Sequence, residues 1–292
     1  LYKVMQFVKA KGILSSHNGM NVYRGCTHGC IYCDSRSNCY HNPVPFENIE
    51  VKENAPKLLE IALRSKRKKC MIGTGSMSDP YMPCEKSLGI TRKCLEIIDK
   101  YGFGVTVLTK SDLVLRDIEL LEKINKKTKA VVQMTLTTYD DELCKILEPN
   151  VCVTSRRVEV LNECLKRGIP CVVWLSPFLP YINDSYENIA GLLDYCVKAK
   201  VKGIINFGIG LTLRDGNREY FYKALEKDYP DLKNRYIREY GNSYEIISPR
   251  SRELMMYFYG VCNENNIICN VNDCFSYLRE FPEIECEQLE LF

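Results

Sequence analysis

The stretch KCMIGTGSMSDPYMPCEKSLGITRKCLEIIDKYGFGVTVLTKS, residues 69–111, contains the structural unit that recurs along this chain. Residues 69–75 and 103–111 are short apolar runs, which are typical of strands buried on both faces. Residues 85–102 lie between them and have the alternation of apolar and polar side chains expected of a helix that covers a sheet. The order strand, helix, strand therefore predicts a parallel βα unit.

The same alternation extends over most of the sequence. Further strands are predicted at 19–25, 130–138, 170–178 and 203–211, and further helices at 112–127, 155–168 and 184–200. We therefore expect an α/β fold, namely a partial (β/α)6 TIM-type barrel whose chemistry gathers at the carboxyl ends of the strands. After about residue 212 the sequence becomes rich in tyrosine and charge. The expected domains are a barrel over 1–212 and a mainly helical extension over 213–292, with helices at 251–266 and 274–281 and a short strand at IICNV.

The composition narrows the class of protein. The chain has 292 residues, 46% of them hydrophobic, and a net charge of +3, so a large core is available and charge alone does not indicate a nucleic-acid partner. Many of the 16 cysteines lie in apolar runs, where a free thiol behaves as a small hydrophobe, and this favours a reducing, anoxic cytoplasm. No apolar run reaches about 18 residues, so no membrane span is expected. The given start LYKVMQFVKAKG has no secretory apolar region, and a leader before it stays open.

Three cysteines crowd the stretch YRGCTHGCIYCDSRS, residues 23–37. The spacing Cys26-x3-Cys30-x2-Cys33 differs from the paired Cys-x2-Cys knuckles of most four-thiolate zinc sites. A [4Fe–4S] cube held by three thiolates would leave one iron free to bind another ligand, but the spacing alone indicates only a loop with three thiolates. The alternative is a zinc knuckle that takes its fourth ligand from His28, Cys39 or His41.

The cysteine loop resembles that of the radical SAM superfamily. Together with GSMSDPYMPCE (75–85), TKS (109–111) and LEP (147–149), it resembles the spore photoproduct lyase-like family over roughly residues 17–212. This resemblance implies that S-adenosylmethionine (SAM) binds the free iron and is cleaved reductively. The product, a 5′-deoxyadenosyl radical, then abstracts hydrogen from a substrate. The resemblance also implies a flavodoxin or ferredoxin as the electron donor.

The resemblance further implies which side chains contact SAM. The implied contacts are Tyr32 and Ser176 with the adenine, Lys110, Thr135 and Thr137 with the methionyl carboxylate, and Ser78 and Asp79 with the cosubstrate as a whole. Each residue type also has an ordinary structural explanation. Ser-Asp-Pro is a common turn signal, threonine is a good strand former, and a lysine at an apolar strand end needs an anionic partner of some kind.

The sequence departs from the family pattern in one place. In the photoproduct lyase, a cysteine two residues before the Ser-Asp serine returns hydrogen to the product radical. Here that position is Ser76, whose O–H bond is too strong for this reaction, although Cys84 lies nearby in sequence. We therefore expect an unidentified substrate. The alternatives are a DNA or RNA repair or modification lyase and a zinc-stabilised binding protein. The catalytic residues are unknown.

Three other features have competing interpretations. The distal cysteines fit no compact ligand motif, so buried structural thiols are favoured over a second cluster for Cys262, Cys269, Cys274 and Cys286. The basic run RSKRKK (64–69) is predicted to be a solvated helix end. The stretch KNRYIREYGNSY (233–244) is consistent either with nucleic-acid contact or with a helix that packs its tyrosines on the barrel.

Overall fold

The fold is taken from a computed structural model that describes residues 5–42 and 44–282. The strands are β1 (Met5–Val8), β2 (Gly19–Met20), β3 (Tyr23–Arg24), β4 (Ile49–Lys52), β5 (Met71–Thr74), β6 (Gly104–Thr109), β7 (Ala130–Thr135), β8 (Cys171–Trp174), β9 (Gly203–Ile205), β10 (Gly210–Thr212) and β11 (Glu245–Ile247). The helices are α1 (Ala55–Ser65), α2 (Glu85–Leu88), α3 (Ile90–Tyr101), α4 (Ile118–Lys127), α5 (Asp141–Leu147), α6 (Thr154–Lys166), α7 (Tyr186–Lys198), α8 (Asn217–Asp228), α9 (Pro230–Tyr240), α10 (Ser251–Glu264) and α11 (Val271–Arg279).

A six-stranded parallel sheet forms the centre of the protein. Its strand order is β2-β5-β6-β7-β8-β9, so each strand from β5 onward pairs with the next one along the chain. The two ends of this sheet do not pair with each other in the described structure, so the barrel is open. The predicted α/β class and partial TIM-type barrel are confirmed. Because all six strands run in the same direction, their carboxyl ends share one edge, where a site is expected.

The two faces of the sheet pack against different helices. The outer face contributes Val105, Val107 and Val132 to the main core, together with apolar residues of the helices that connect the strands. The inner face contributes Val131, Val172 and Ile205, and these residues pack against Cys274 and Leu278 of α11. The C-terminal helix therefore fills the concave side of the partial barrel.

Polar side chains also lie on the inner face, in the middle of the strands. Trp174 donates its indole N–H to the Gln133 Oε1 at 2.8 Å, and the Gln133 amide donates to the Thr106 hydroxyl at 3.0 Å. This ladder satisfies polar groups that would otherwise be costly to bury. The Trp174 ring also packs at 5.9 Å from the ring of Phe275, so the ladder connects the sheet with α11.

The structure corrects several predicted boundaries. The helix expected over 85–102 is two helices, because Gly89 adopts a left-handed φ of 61° between α2 and α3. Residues 112–117 form a 3-10 turn before α4, and the strand expected at IICNV is only an isolated bridge between Gly203 and Ile268. Strands β1 and β4 and helix α5 were not predicted, and of α1 only its end was, because these segments are short or of mixed polarity.

The C-terminal extension packs directly against the barrel. Strand β10, just after the sheet, pairs antiparallel with β11 of the extension. In α9, Tyr236 is fully buried and donates its hydroxyl to the Pro180 carbonyl at 2.8 Å, so this helix packs tyrosine on the barrel as one interpretation predicted. The basic run 64–69 lies at the end of α1, where most of its side chains are exposed, as predicted.

All 15 cysteines in the described part of the chain are free thiols. Of the distal cysteines, Cys262 and Cys274 are buried and Cys269 is partly buried, which agrees with structural thiols. Cys286 lies outside the described residues. Over those residues, no helix has both the length and the apolar composition needed to cross a bilayer.

Candidate active site

The cysteine loop follows β3, and backbone hydrogen bonds hold it to two other segments. The Cys26 N–H donates to the Phe46 carbonyl at 2.9 Å, and the Ile31 N–H donates to the Leu147 carbonyl at 3.0 Å. The Asn150 N–H donates back to the His28 carbonyl at 3.0 Å. The loop is therefore fixed by the chain before β4 and by the end of α5, so that its thiols keep one position.

The three thiols of the loop are electrostatically coupled. Burial raises the pKa of the Cys30 and Cys33 thiols, while the positive charge of Lys110 opposes that increase at both residues. Burial also raises the pKa of Cys26, to about 12, with a further contribution from the Asp79 carboxylate. Thiols with raised pKa values stay protonated at neutral pH unless a metal takes the place of the proton.

The described residues contain no preformed site for a single metal ion. Across residues 5–42 and 44–282, no three or more His, Cys, Asp or Glu side chains are arranged to hold one metal ion. A zinc ion needs such convergence because all four ligands lie about 2.0–2.3 Å from it. In a [4Fe–4S] cube, by contrast, each thiolate binds a different iron, so three sulfurs need not meet at one point.

Two of the three residues suggested as a fourth zinc ligand have other partners. His28 places its Nδ1 3.5 Å from the Asp79 carboxylate, and Cys39 accepts a hydrogen bond from Arg214 at 3.3 Å. His41 ends a 3-10 turn, with a left-handed φ of 49°. Burial lowers the pKa of His28, so its imidazole is neutral at pH 7. Cys26, Cys30 and Cys33 are all free thiols, so they stay the predicted ligands of a cluster.

A buried carboxylate, Glu148, gathers several of the predicted SAM contacts. The Tyr32 hydroxyl donates to the Glu148 carboxylate, and the Thr137 hydroxyl donates to the same oxygen at 3.1 Å. The Tyr32 and Thr137 hydroxyl oxygens lie 3.0 Å apart. The structure therefore brings Tyr32 and Thr137 together, but their hydroxyl groups point at a protein carboxylate.

The charge of Glu148 is balanced by two cations. Arg157 Nη2 lies 2.5 Å from one carboxylate oxygen, and Lys110 Nζ lies 3.9 Å from the other. Burial alone would raise the pKa of Glu148, but the positive charges of Arg157 and Lys110 lower it to about 2. Burial likewise opposes the charge on Lys110, yet the neighbouring Cys30 and Glu148 raise its pKa above the usual value. Lys110 is therefore held charged between the cysteine loop and Glu148.

The Ser-Asp pair lies on the other side of the loop. Asp79 accepts hydrogen bonds from the Thr109 hydroxyl at 2.7 Å and from the Tyr81 and Lys110 N–H groups, each at 2.8 Å. Its carboxylate thus joins the carboxyl ends of β5 and β6 and positions the backbone of Lys110. The Ser78 hydroxyl is buried and has no hydrogen-bond partner among the described residues, so it is available to a bound ligand.

A cavity of about 700 Å³ opens beside the cysteine loop, and this volume is in the range of cofactor and substrate sites. Four of the predicted site residues line it, namely Tyr32, Cys33, Lys110 and Ser176. Six predicted residues do not line it: Cys30, Ser78, Asp79, Thr135 and Thr137 are buried, and Cys26 is partly buried. Ser76 is exposed, and neither Ser76 nor Cys84 lines this cavity.

The sequence analysis missed two parts of the site. The first is the buried pair of Glu148 and Arg157, since Glu148 appeared only within a family motif and Arg157 only within a helix. The second is the part of the cavity wall that is formed by 244–247, at β11 of the extension. The cavity is also lined by exposed apolar side chains, including Phe207 at 61% and Ile247 at 56% exposure.

A profile of the radical SAM superfamily matches residues 20–193, which is more than half of the chain. The chain belongs to the radical SAM superfamily. Members of this superfamily are enzymes that use SAM and a [4Fe–4S] cluster. The matched segment includes the cysteine loop, all of the predicted SAM contacts and the barrel up to α7.

The relatives of this radical SAM protein support the same fold. An uncharacterised protein of Methanocaldococcus jannaschii is 31% identical over 235 residues, covering 80% of each chain. A spore photoproduct lyase variant with bound AdoMet and dinucleoside spore photoproduct has a TM-score of 0.60 at 12% identity, covering 91% of this chain and 80% of that one. Streptococcus suis SuiB bound to its precursor peptide SuiA has a TM-score of 0.53 at 16% identity, covering 89% and 51%. The resemblance to spore photoproduct lyase is confirmed at the level of the fold.

Proposed function

We propose that this protein binds a [4Fe–4S] cluster through Cys26, Cys30 and Cys33 and reductively cleaves SAM to abstract hydrogen from a substrate. The observation that carries the proposal is the position of the cysteine loop at one end of a 700 Å³ cavity, next to a lysine that is held charged. Membership of the radical SAM superfamily supports the same chemistry and favours it over a zinc-stabilised binding protein.

When bound and reduced, the cluster with SAM would supply a 5′-deoxyadenosyl radical that removes a hydrogen atom from the substrate. In this proposal Lys110 binds the methionyl carboxylate, because a buried cation next to a cavity favours an anionic ligand. Tyr32 and Ser176 line the same cavity and are proposed to contact the adenine. Ser78 offers a hydroxyl without a described partner, and Asp79 positions the Lys110 backbone.

In this proposal Thr135 and Thr137 act on SAM indirectly and do not contact its carboxylate. The Thr137 hydroxyl donates to Glu148, so we propose that it acts on SAM by fixing Tyr32 and Glu148. The carbonyl of Thr135 accepts a hydrogen bond from Arg157 at 3.1 Å, which anchors that guanidinium behind the cavity. Both threonines would therefore shape the SAM site from behind its lining.

The cavity lining bears on the substrate. Its charged side chains are Lys110, Asp34 and Glu245, so one cation faces two carboxylates. A phosphate backbone is usually bound by several lysines and arginines, and this lining does not supply them. We therefore favour a substrate other than duplex nucleic acid, with an apolar part that meets Phe207 and Ile247. A DNA or RNA lesion lyase stays the alternative function.

Anaerobic purification and reconstitution test the proposal. We expect a brown protein with about four irons per chain and formation of 5′-deoxyadenosine when dithionite and SAM are added. Zinc without iron, and no 5′-deoxyadenosine after reconstitution, would contradict the proposal. Binding assays with DNA and RNA at low salt test the alternative, because a nucleic-acid enzyme should bind with strong salt dependence.

A further inference from the structure

Arg36 lies three residues after Cys33, in the 3-10 turn that closes the cysteine loop. Its N–H donates to the Cys33 carbonyl at 3.3 Å, which ties the turn to the cysteine. Its side chain is only 7% exposed. The guanidinium is stacked between two rings, 3.7 Å from the centre of Tyr220 and 4.9 Å from that of Phe46. Arg36 is therefore buried and held in a fixed plane.

Only one edge of this guanidinium has a partner. Nη1 lies 2.5 Å from the Glu47 carboxylate. Nε and Nη2 are both buried and have no hydrogen-bond partner among the described residues. These two nitrogens form the edge that arginine uses for bidentate hydrogen bonds. A buried donor without a partner is costly, and more so when it is charged, so this edge is suited to an acceptor that binds there.

The charge of Arg36 also acts on the adjacent cysteine of the loop, Cys33. The charge of Arg36 lowers the pKa of Cys33, acting against burial and alongside Lys110. Burial raises the pKa of Tyr220, which is stacked on Arg36, while the positive charge of Arg36 opposes that increase. Arg36 and Tyr220 of α8 thus lie beside the end of the loop that carries Cys33.

We propose that Arg36 raises the reduction potential of the proposed cluster. It does so through its buried positive charge and through its Nε and Nη2 donors, which have no partner among the described residues. This inference rests on the function proposed above. Reduction adds one negative charge to the cluster, and a fixed cation nearby stabilises that charge. The donors on the free edge act in the same direction, because hydrogen bonds to cluster sulfurs are among the factors that set these potentials. Glu47 offsets part of the effect, and its side chain is 34% exposed, so solvent screens it more.

The test is a redox titration of the reconstituted protein without SAM, followed by electron paramagnetic resonance (EPR). We expect Arg36→Gln to reduce the equilibrium constant for cluster reduction about tenfold, which is about 59 mV towards negative potential for one electron. Arg36→Lys keeps the charge without the planar edge and should shift the potential less. Glu47→Gln removes the offsetting charge and should shift the potential in the opposite direction.

Arg235 supplies the matched control. It is stacked 3.5 Å from the centre of the Tyr181 ring and paired with Glu239 at 2.8 Å, but its side chain is 43% exposed on α9. Arg235→Gln should leave the potential unchanged. If Arg36→Gln or Glu47→Gln holds wild-type iron with an unchanged potential, the inference is wrong. If Arg36→Gln does not retain iron, Glu47→Gln alone decides between the two results. If the wild-type protein binds no cluster, the proposed function fails instead.

Discussion

Glu148 and Arg157 form a salt bridge of 2.5 Å in which both side chains are fully buried. The carboxylate also accepts hydrogen bonds from Tyr32 of the cysteine loop and from Thr137 after β7. The guanidinium donates in turn to the Cys152 and Thr135 carbonyls, at 2.9 and 3.1 Å. The pair thus joins the cysteine loop to the carboxyl end of the sheet and to α6.

Breaking this pair from one side should destabilise the protein strongly. Arg157→Met leaves the Glu148 carboxylate buried with Lys110, at 3.9 Å, as its remaining cation. We therefore expect a loss of about 3–5 kcal/mol in the free energy of unfolding. The double variant Glu148→Met with Arg157→Met should lose less than the sum of the two single variants, because it leaves neither charge alone. Urea denaturation measures the unfolding free energy of the two single variants and of the double variant. Strictly additive losses would show that the pair is not coupled.

The Glu148 carboxylate makes the stability of the fold depend on pH. Its pKa is lowered to about 2 from the usual 4.5, because Arg157 and Lys110 outweigh the effect of burial. The ionised form therefore stabilises the fold fully above pH 4.5, and this contribution falls as the pH drops from 4.5 towards 2. Urea midpoints of the cluster-free protein at pH 3 and pH 6 should differ more in wild type than in Glu148→Gln. Equal differences in the two proteins would contradict this assignment.

The barrel could be predicted from the sequence because its signal is local. Buried parallel strands such as β6 and β7 are short runs of apolar residues, and each is followed by an amphipathic segment. The short strands β1 and β4 and the break at Gly89 could not be predicted, because they depend on pairing partners and on one backbone angle. The filling of the concave face by α11 depends on tertiary packing that no local pattern encodes.

The candidate site, like the fold, could be predicted only in part from the sequence. The cysteine spacing carried the prediction of the loop, and Tyr32, Lys110 and Ser176 do line one cavity with Cys33. Arg157, on the other hand, lies in a polar helical stretch and gives no sequence signal of burial, yet its side chain is completely inaccessible to solvent. Which charges pair inside a protein depends on distances between segments, and Glu148 and Arg157 lie on different elements.

Lys110 is expected to determine the affinity for SAM. Lys110→Met removes the cation that we propose binds the methionyl carboxylate, so the SAM concentration for half-maximal cleavage should rise about 10- to 100-fold. Lys86→Met is the matched control, because Lys86 lines a separate cavity of about 540 Å³ around His28. Formation of 5′-deoxyadenosine against SAM concentration measures both variants. Equal SAM dependence in Lys110→Met and wild type would remove Lys110 from the binding site.

The Tyr32 hydroxyl should matter for stability as well as for binding. Tyr32→Phe leaves the ring in the cavity but removes the donor to Glu148, so we expect a loss of about 1–3 kcal/mol in unfolding free energy. Tyr40→Phe is the control, since that hydroxyl donates to Asp34 at 2.7 Å in a less buried place. Thermal and urea unfolding of the two variants measure the difference. A smaller loss for Tyr32→Phe than for Tyr40→Phe would contradict the prediction.

The cysteines of the loop should be distinguishable from the other thiols by iron content. Serine in place of Cys26, Cys30 or Cys33 should leave less than half of the wild-type iron after reconstitution, because a cube held at two corners is labile. Cys39→Ser and Cys84→Ser are the controls. Cys39 is exposed and accepts a hydrogen bond from Arg214, and Cys84 is partly buried at the start of α2. Iron loss in the control variants, or its retention in the loop variants, would place the cluster elsewhere.

The central claim is that a reduced cluster on Cys26, Cys30 and Cys33 keeps one iron for SAM. Its most direct test is the EPR spectrum of the dithionite-reduced wild-type protein, recorded before and after SAM is added. We predict a [4Fe–4S]⁺ signal whose g-values change with SAM, together with formation of 5′-deoxyadenosine. A reduced cluster whose spectrum is identical with and without SAM, and that yields no 5′-deoxyadenosine, would contradict the claim.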